Sequence, residues 1–233
     1  MPLKNHRKKR SLDRYLLSIL VCSSVVLVEK IRAENSYSPY VDQSFPTNVY
    51  FGDTHLHTNL SMDAYNFGNR NLGPEEAYRF AKGEAITAHN GMQARLRRPL
   101  DFLVIADHAY NMGVMSGLAA KETDLLTSSL AKSWALRLEE INKSARNDTK
   151  KSVELSHKLF IDGAKGGVAG DDSYRHSVWK GATEIADKYN DPGRFTALIG
   201  YEWTQISYGL HRVVIFKDNA EKAGQLIPFS QYD

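Results

Sequence analysis

The stretch Leu100-Asp101-Phe102-Leu103-Val104-Ile105-Ala106 constrains this chain more than any other, because a nearly continuous apolar run of that length marks a strand buried on both faces. Such strands belong to αβ proteins whose helices cover the sheet. The run ends on Asp107-His108, polar groups that an interior accepts only with partners. The layout recurs elsewhere. Val49-Tyr50-Phe51 is a short β-prone run that passes through Gly52-Asp53 into Thr54-His55-Leu56-His57-Thr58, and a strand from Phe195 to Gly200 runs into Tyr201-Glu202-Trp203. A last strand is expected from Arg212 to Phe216, directly after His211.

Helical patterns separate these strands. Gly73-Pro74-Glu75-Glu76 opens a helix with proline in its first turn and acids at the positive end of the dipole, and Gly83 closes it after Lys82. Ala77, Phe80 and Ala81 supply its apolar face. Leu126, Leu130, Trp134, Leu138 and Ile141 recur at helical spacing through a charged segment, which reads as a peripheral helix. After a glycine-rich turn at Gly163–Gly170, a second amphipathic pattern runs through Val178, Ala182, Ile185, Ala186 and Tyr189 and stops at Asn190-Asp191-Pro192-Gly193. This order favours an αβ fold with a mostly parallel sheet.

The N-terminus carries a different signal. Lys4, Arg7, Lys8, Lys9, Arg10 and Arg14 precede an uncharged run from Tyr15 to Val28, the layout of a secretory signal cleaved after Ala33. The alternative is an uncleaved anchor formed by residues 15–28, and both readings place the remainder outside the cytoplasm, periplasmic or secreted. Cys22, the sole cysteine, lies in that run behind Leu20-Val21, which lacks the small residue that precedes a lipidated cysteine. A mature chain therefore has neither thiolate ligands nor disulfides. Residues 34–47, with Pro39 and Pro46, read as a linker, and 48–233 as the folded part. The net charge of +3 divides into +6 for residues 1–33 and −3 for the rest, so the basic character belongs to targeting and gives no argument for nucleic-acid binding, and no nucleic-acid partner is expected.

The chemistry resides in the polar residues at the strand ends. His55 and His57 flank Leu56, and in an extended strand such residues face one side, so both imidazoles can reach one ion. Asp63 offers a hard oxygen from the next loop, or caps a turn beside Ser61. Asp107-His108 and Glu202 follow their own strands, at the end where αβ sheets gather active sites. Asp107, next to a ligand, is expected to hold an imidazole N–H, and Asp53 is a similar candidate. Imidazole and carboxylate donors suit zinc, iron and manganese alike. Arg95, Arg97 and Arg98 precede the buried strand, either to neutralise a phosphate at the mouth of the site or as a solvated loop. Tyr201 and Trp203 either wall the pocket or pack in the core. His89, His157 and His176 read as surface histidines.

The phrases Phe51-Gly52-Asp53-Thr54-His55-Leu56-His57-Thr58 through Asp63, with Ala106-Asp107-His108, resemble the first motifs of the PHP (polymerase and histidinol phosphatase) superfamily. Together with Arg98-Pro99-Leu100-Asp101-Phe102-Leu103 and Ile199-Gly200-Tyr201-Glu202-Trp203, they resemble more narrowly its DUF3604 branch, over about Asn48 to Asp233. The resemblance implies a distorted (β/α)7 barrel, two or three divalent ions and hydrolysis of phosphoesters on a small, phosphorylated substrate. It also implies His55, His57, Asp63, His108, Glu202 and His211 as metal ligands, Glu202 bridging two ions. Asp107 and Glu202 are then the acids serving catalysis, and Arg98 and Trp203 the substrate contacts. Other hydrolase chemistry (amide or sulfate ester) and a non-catalytic binding module are the alternatives. The chain departs from the pattern in having Ala109-Tyr110 where the branch often has a glutamate, and in lacking a late Asp-x-His after His211. An incomplete barrel, the N-terminal portion of a longer one, is therefore expected.

Overall fold

A computed structural model describes residues 48–165, 167 and 169–233 of the protein. The signal or anchor, Cys22 and the linker lie outside the described residues. In chain order the elements are β1 (Gly52–Leu56), α1 (Met62–Asn66), α2 (Pro74–Ala81), β2 (Ile86–Thr87), β3 (Gln93–Ala94), β4 (Phe102–Ile105) and α3 (Val114–Ala120). There follow α4 (Ser129–Ala145), α5 (Thr149–Lys165), α6 (Asp172–Tyr189), β5 (Thr196–Gln205), β6 (Leu210–Ile215) and α7 (Ala220–Ala223). Among the described residues no helix is long and apolar enough to cross a membrane.

The fold is mixed αβ, built on a four-stranded sheet of order β1-β4-β5-β6 curled as a half-barrel. β4 pairs parallel with both β1 and β5, whereas β6 returns antiparallel to β5. The reversal follows from the connection, a single 3-10 turn at Ile206–Tyr208 closed by Gly209 at φ +60°, too short for a parallel crossover. This hairpin also corrects two strand boundaries. β5 continues to Gln205 because β6 pairs with it from Gly200 onward, so Glu202 lies inside the strand, and His211 lies inside β6.

The first strand is displaced as well. Val49 to Phe51 are exposed coil, and pairing starts at Gly52. A Cβ at Gly52 would overlap the Phe102 carbonyl, so the close approach to β4 requires glycine there. A register irregularity between Asp53 and Leu56 then turns Leu56 toward the helices and leaves His55 and His57 on the other side.

One face of the sheet is covered by helices. Leu103 and Ile105 of β4 and Ala197, Ile199 and Tyr201 of β5 pack on Tyr78 and Ala81 of α2 and on Trp179 and Ala186 of α6. α2 begins at Pro74 and stops before Gly83 as expected, although Tyr78 contributes more to its buried face than Ala77 or Phe80. The charged segment is helical as its spacing predicts, forming α4, and a further helix, α5, packs beside it. Their Trp134, Leu138, Ile141 and Leu159 close a second core on Met62, Tyr65 and the α3 residues Val114, Met115 and Leu118. That core seats α1. Met62 and Tyr65 are buried in it, so Asp63 turns the other way, toward the strand ends.

The concave face carries residues of opposite parity: His57, Val104, His108, Gly200, Glu202 and Thr204. At Gly200 a Cβ would stand 2.5 Å from Val104 Cγ1 and 2.9 Å from the Val214 carbonyl oxygen, a backbone atom with little room to yield. Gly200→Ala is therefore expected to lower stability by about 1–3 kcal/mol, the usual cost of overpacking. A shift of the urea midpoint would show it, and an unchanged midpoint would contradict this packing.

Candidate metal centre

Glu202 is the hub of the concave face. Its side chain is 1% exposed, and imidazoles approach it from the other three strands of the main sheet or their immediate extensions. His55 Nε2 lies 3.3 Å from Oε1 and His57 Nε2 3.1 Å from Oε2. His108 Nδ1 lies 2.7 Å from Oε2 and His211 Nδ1 2.6 Å from Oε1. Asp63, on α1, reaches His57 Nδ1 at 3.0 Å and His108 Nε2 at 3.5 Å. All six ligands named from the sequence thus converge. They form three groups able to hold an ion: His55, His57 and Glu202; His57, Asp63 and His108; and His108, Glu202 and His211.

The donors fit a metal on two counts. His55 Nε2 and His57 Nε2 are 3.0 Å apart, near the roughly 3.3 Å separating two donors that each sit about 2.0–2.1 Å from a tetrahedral ion. In addition, Glu202 Oε2 is buried without a hydrogen-bond partner, although two imidazole nitrogens stand close to it. A buried carboxylate oxygen in that condition is costly unless a cation or proton meets it.

Without metal, the cluster is held by protons. Burial alone would lower the His57 pKa, but contacts with Asp63 and Glu202 outweigh it and push the pKa up to about 10. His108 is raised in the same way. Burial would raise Asp63 and Glu202, yet His108 and His57 hold both carboxyls far below the usual carboxylate range.

A second set of side chains ties the motifs together. Asp107 does not hold an imidazole, contrary to the expectation. Its two oxygens accept from the Thr58 N–H at 2.5 Å and the Thr58 hydroxyl at 2.7 Å, which joins the end of β4 to the loop after His57. As the next residue of an extended chain after Ala106, Asp107 faces the helices, opposite to His108. Asp53 likewise binds main chain, accepting the His55 N–H at 2.8 Å. Ser61 occupies the N-cap of α1 but does not cap it. Its hydroxyl accepts from the His108 N–H at 2.9 Å and stands 3.2 Å from His57 Nδ1. Thr204, two residues after Glu202, places Oγ1 2.7 Å from His108 Nδ1 and 3.4 Å from His211 Nδ1.

Both expected substrate contacts lie elsewhere. The exposed Arg98 guanidinium stacks 5.0 Å over the Phe51 ring, before β4 begins. From Phe102 to His108 an extended chain spans about 20 Å, so Arg98 is at the far end of the sheet from the cluster. Trp203 has the parity of Tyr201 and packs with it on the helical side of β5. Tyr201 itself meets Trp179 edge to face. His89 and His157 are exposed, but His176 is half-buried, with Nε2 2.7 Å from the Gly224 carbonyl.

Residues 44–233 match a protein family described as "Protein of unknown function (DUF3604)". No curated protein and no solved structure matches the chain.

Proposed function

The chain belongs to the DUF3604 family, and from that premise we propose that its histidine and carboxylate cluster is the metal centre of a hydrolase of the PHP superfamily, acting on phosphoesters. The observation that carries the proposal is Glu202 Oε2, a buried carboxylate oxygen ringed by imidazole nitrogens yet short of a hydrogen bond. On this reading the curled sheet is part of a distorted seven-stranded βα barrel, and its concave face is the barrel interior.

Divalent zinc, iron or manganese would supply water activated near neutral pH and neutralise charge on the attacking and leaving oxygens. His55, His57 and Glu202 would hold one ion, His211 would share Glu202 in holding a second, and Asp63 and His108 face a further position. Asp107 and Thr58 keep the His57 loop and the His108 strand in one arrangement. With Arg98 remote, the ions themselves would bind the phosphoryl group. The basic leader supports a small periplasmic or secreted phosphoester as substrate.

The test is metal-stripped protein offered manganese, iron or zinc in turn, with p-nitrophenyl phosphate, its diester, the sulfate and an anilide. Turnover of a phosphate ester only after metal return is the expected outcome. Turnover of the sulfate or anilide alone would reassign the chemistry to another metal-assisted hydrolysis. Metal uptake with no turnover of any substrate would leave a binding module.

A further inference from the structure

Resting on the reading that this centre binds metal, we propose that the Thr204 hydroxyl determines which nitrogen of His108 meets an ion, making Thr204 a positioning residue of the site. His108 belongs to two of the three donor groups, but a neutral imidazole has one nitrogen lone pair to give. Its Nδ1 lies 2.7 Å from Thr204 Oγ1 in hydrogen-bond geometry and equally close to Glu202 Oε2, but that carboxylate oxygen has no partner in hydrogen-bond geometry, so Thr204 is the acceptor the ring is aligned with. Its Nε2 lies 3.5 Å from Asp63 Oδ2, beyond the usual hydrogen-bond range and close to the roughly 3.3 Å expected between two ligands of one tetrahedral ion. With the Nδ1 proton donated to Thr204, the Nε2 lone pair is left for the ion that Asp63 faces.

The neighbouring histidine supports the same division. His57 Nδ1 meets Asp63 at 3.0–3.1 Å in hydrogen-bond geometry, which places its proton there and turns its Nε2 lone pair toward His55 and Glu202. His57 and His108 therefore serve different ions, and Asp63 stands between them. Thr204 suits the task because it is 2% exposed and so shielded from competing water. It lies on the same face of β5 as Glu202, which fixes its height relative to the ligands. Hydrogen bonds of this kind to the second ring nitrogen fix tautomer and ring orientation, and their loss commonly weakens metal binding about 10–100-fold.

The decisive measurement uses the unaltered protein loaded with zinc and labelled with 15N, its histidine tautomers read by long-range 1H–15N correlation. His108 should carry its proton on Nδ1 and zinc on Nε2; zinc on Nδ1 would overturn the proposal. In parallel, Thr204→Val keeps the shape but removes the hydroxyl, and should bind zinc about 10–100-fold more weakly, while Thr204→Ser restores binding to within a few-fold. Equal zinc affinity in wild type and Thr204→Val would also overturn it. The labelled wild type remains informative if the valine variant does not fold. A wild-type protein that takes up no metal would instead defeat the metal-centre reading on which the proposal rests.

Discussion

Glu202→Gln is expected to abolish stoichiometric metal binding, and with it any hydrolytic activity, while the His55→Ala variant should leave the ions that do not use His55. Among the described residues Glu202 is the one side chain within 3.3 Å of four imidazoles, and it belongs to two of the three donor groups found there. Glutamine keeps the shape and one carbonyl oxygen but loses the charge that offsets two divalent ions. The loss in affinity should therefore exceed the roughly 10–100-fold typical of groups that merely orient a ligand. Metal per chain after desalting is the readout, and a Glu202→Gln protein retaining the wild-type complement would refute the hub assignment. The same change also strips the metal-free protein of the anion that stabilises its buried imidazoles. Breaking one partner of a buried ion pair costs about 3–5 kcal/mol, so the variant should also unfold at clearly lower urea.

The centre was legible in the sequence to an unequal degree, and the differences have physical causes. His108 and Glu202 announce themselves because imidazole and carboxylate side chains meet apolar strands, where burial demands a partner, whereas His55 and His57, at the end of a largely exposed strand, are legible by their spacing of two. The hydroxyls of Thr58, Ser61 and Thr204 do the connecting, yet nothing in the sequence separates a threonine that binds an imidazole from one on a solvated strand. The signal for Thr204 was its spacing of two from Glu202, visible only once the strand is known to reach Gln205. That extension depends on pairing with β6, a contact no local pattern encodes. Trp203 was misassigned for the same reason: one residue of parity sends a side chain to the opposite face of a strand. Asp107, by contrast, turns away from His108 as that parity requires and differs only in its partner, Thr58 in place of an imidazole. Arg98 was misplaced because proximity along the chain to a strand leaves open which end of that strand carries the site. The helical core of α4 and α5 shows the reverse case, where periodicity was plain but its partner, Met62 beside Asp63, lay far away in sequence.

The pH dependence of stability should change shape when metal is added, because protons and metal compete for the same nitrogens. In the metal-free protein the folded pKa of His57 is raised from 6.5 to about 10, so its contribution to stability is complete below about pH 6.5 and is lost as pH rises toward 10. His108 acts in the same direction. Asp63 and Glu202, whose folded pKa values are depressed, contribute above their ordinary values of 3.8 and 4.5 and lose that contribution as pH falls. The metal-free protein should therefore be most stable between about pH 4.5 and 6.5 and weaken steadily on the alkaline side. Metal reverses the alkaline trend. An ion binds imidazole only without the proton at the ligating nitrogen, so binding releases protons and its affinity rises by up to about tenfold per pH unit for each proton released. Melting temperatures measured from about pH 6 to 9 should fall with pH in chelator and hold level or rise with saturating zinc. Calorimetric titrations in buffers of different ionisation enthalpy should register the released protons directly. Parallel melting profiles with and without zinc, together with no proton release, would show that the imidazoles are not what the metal displaces protons from.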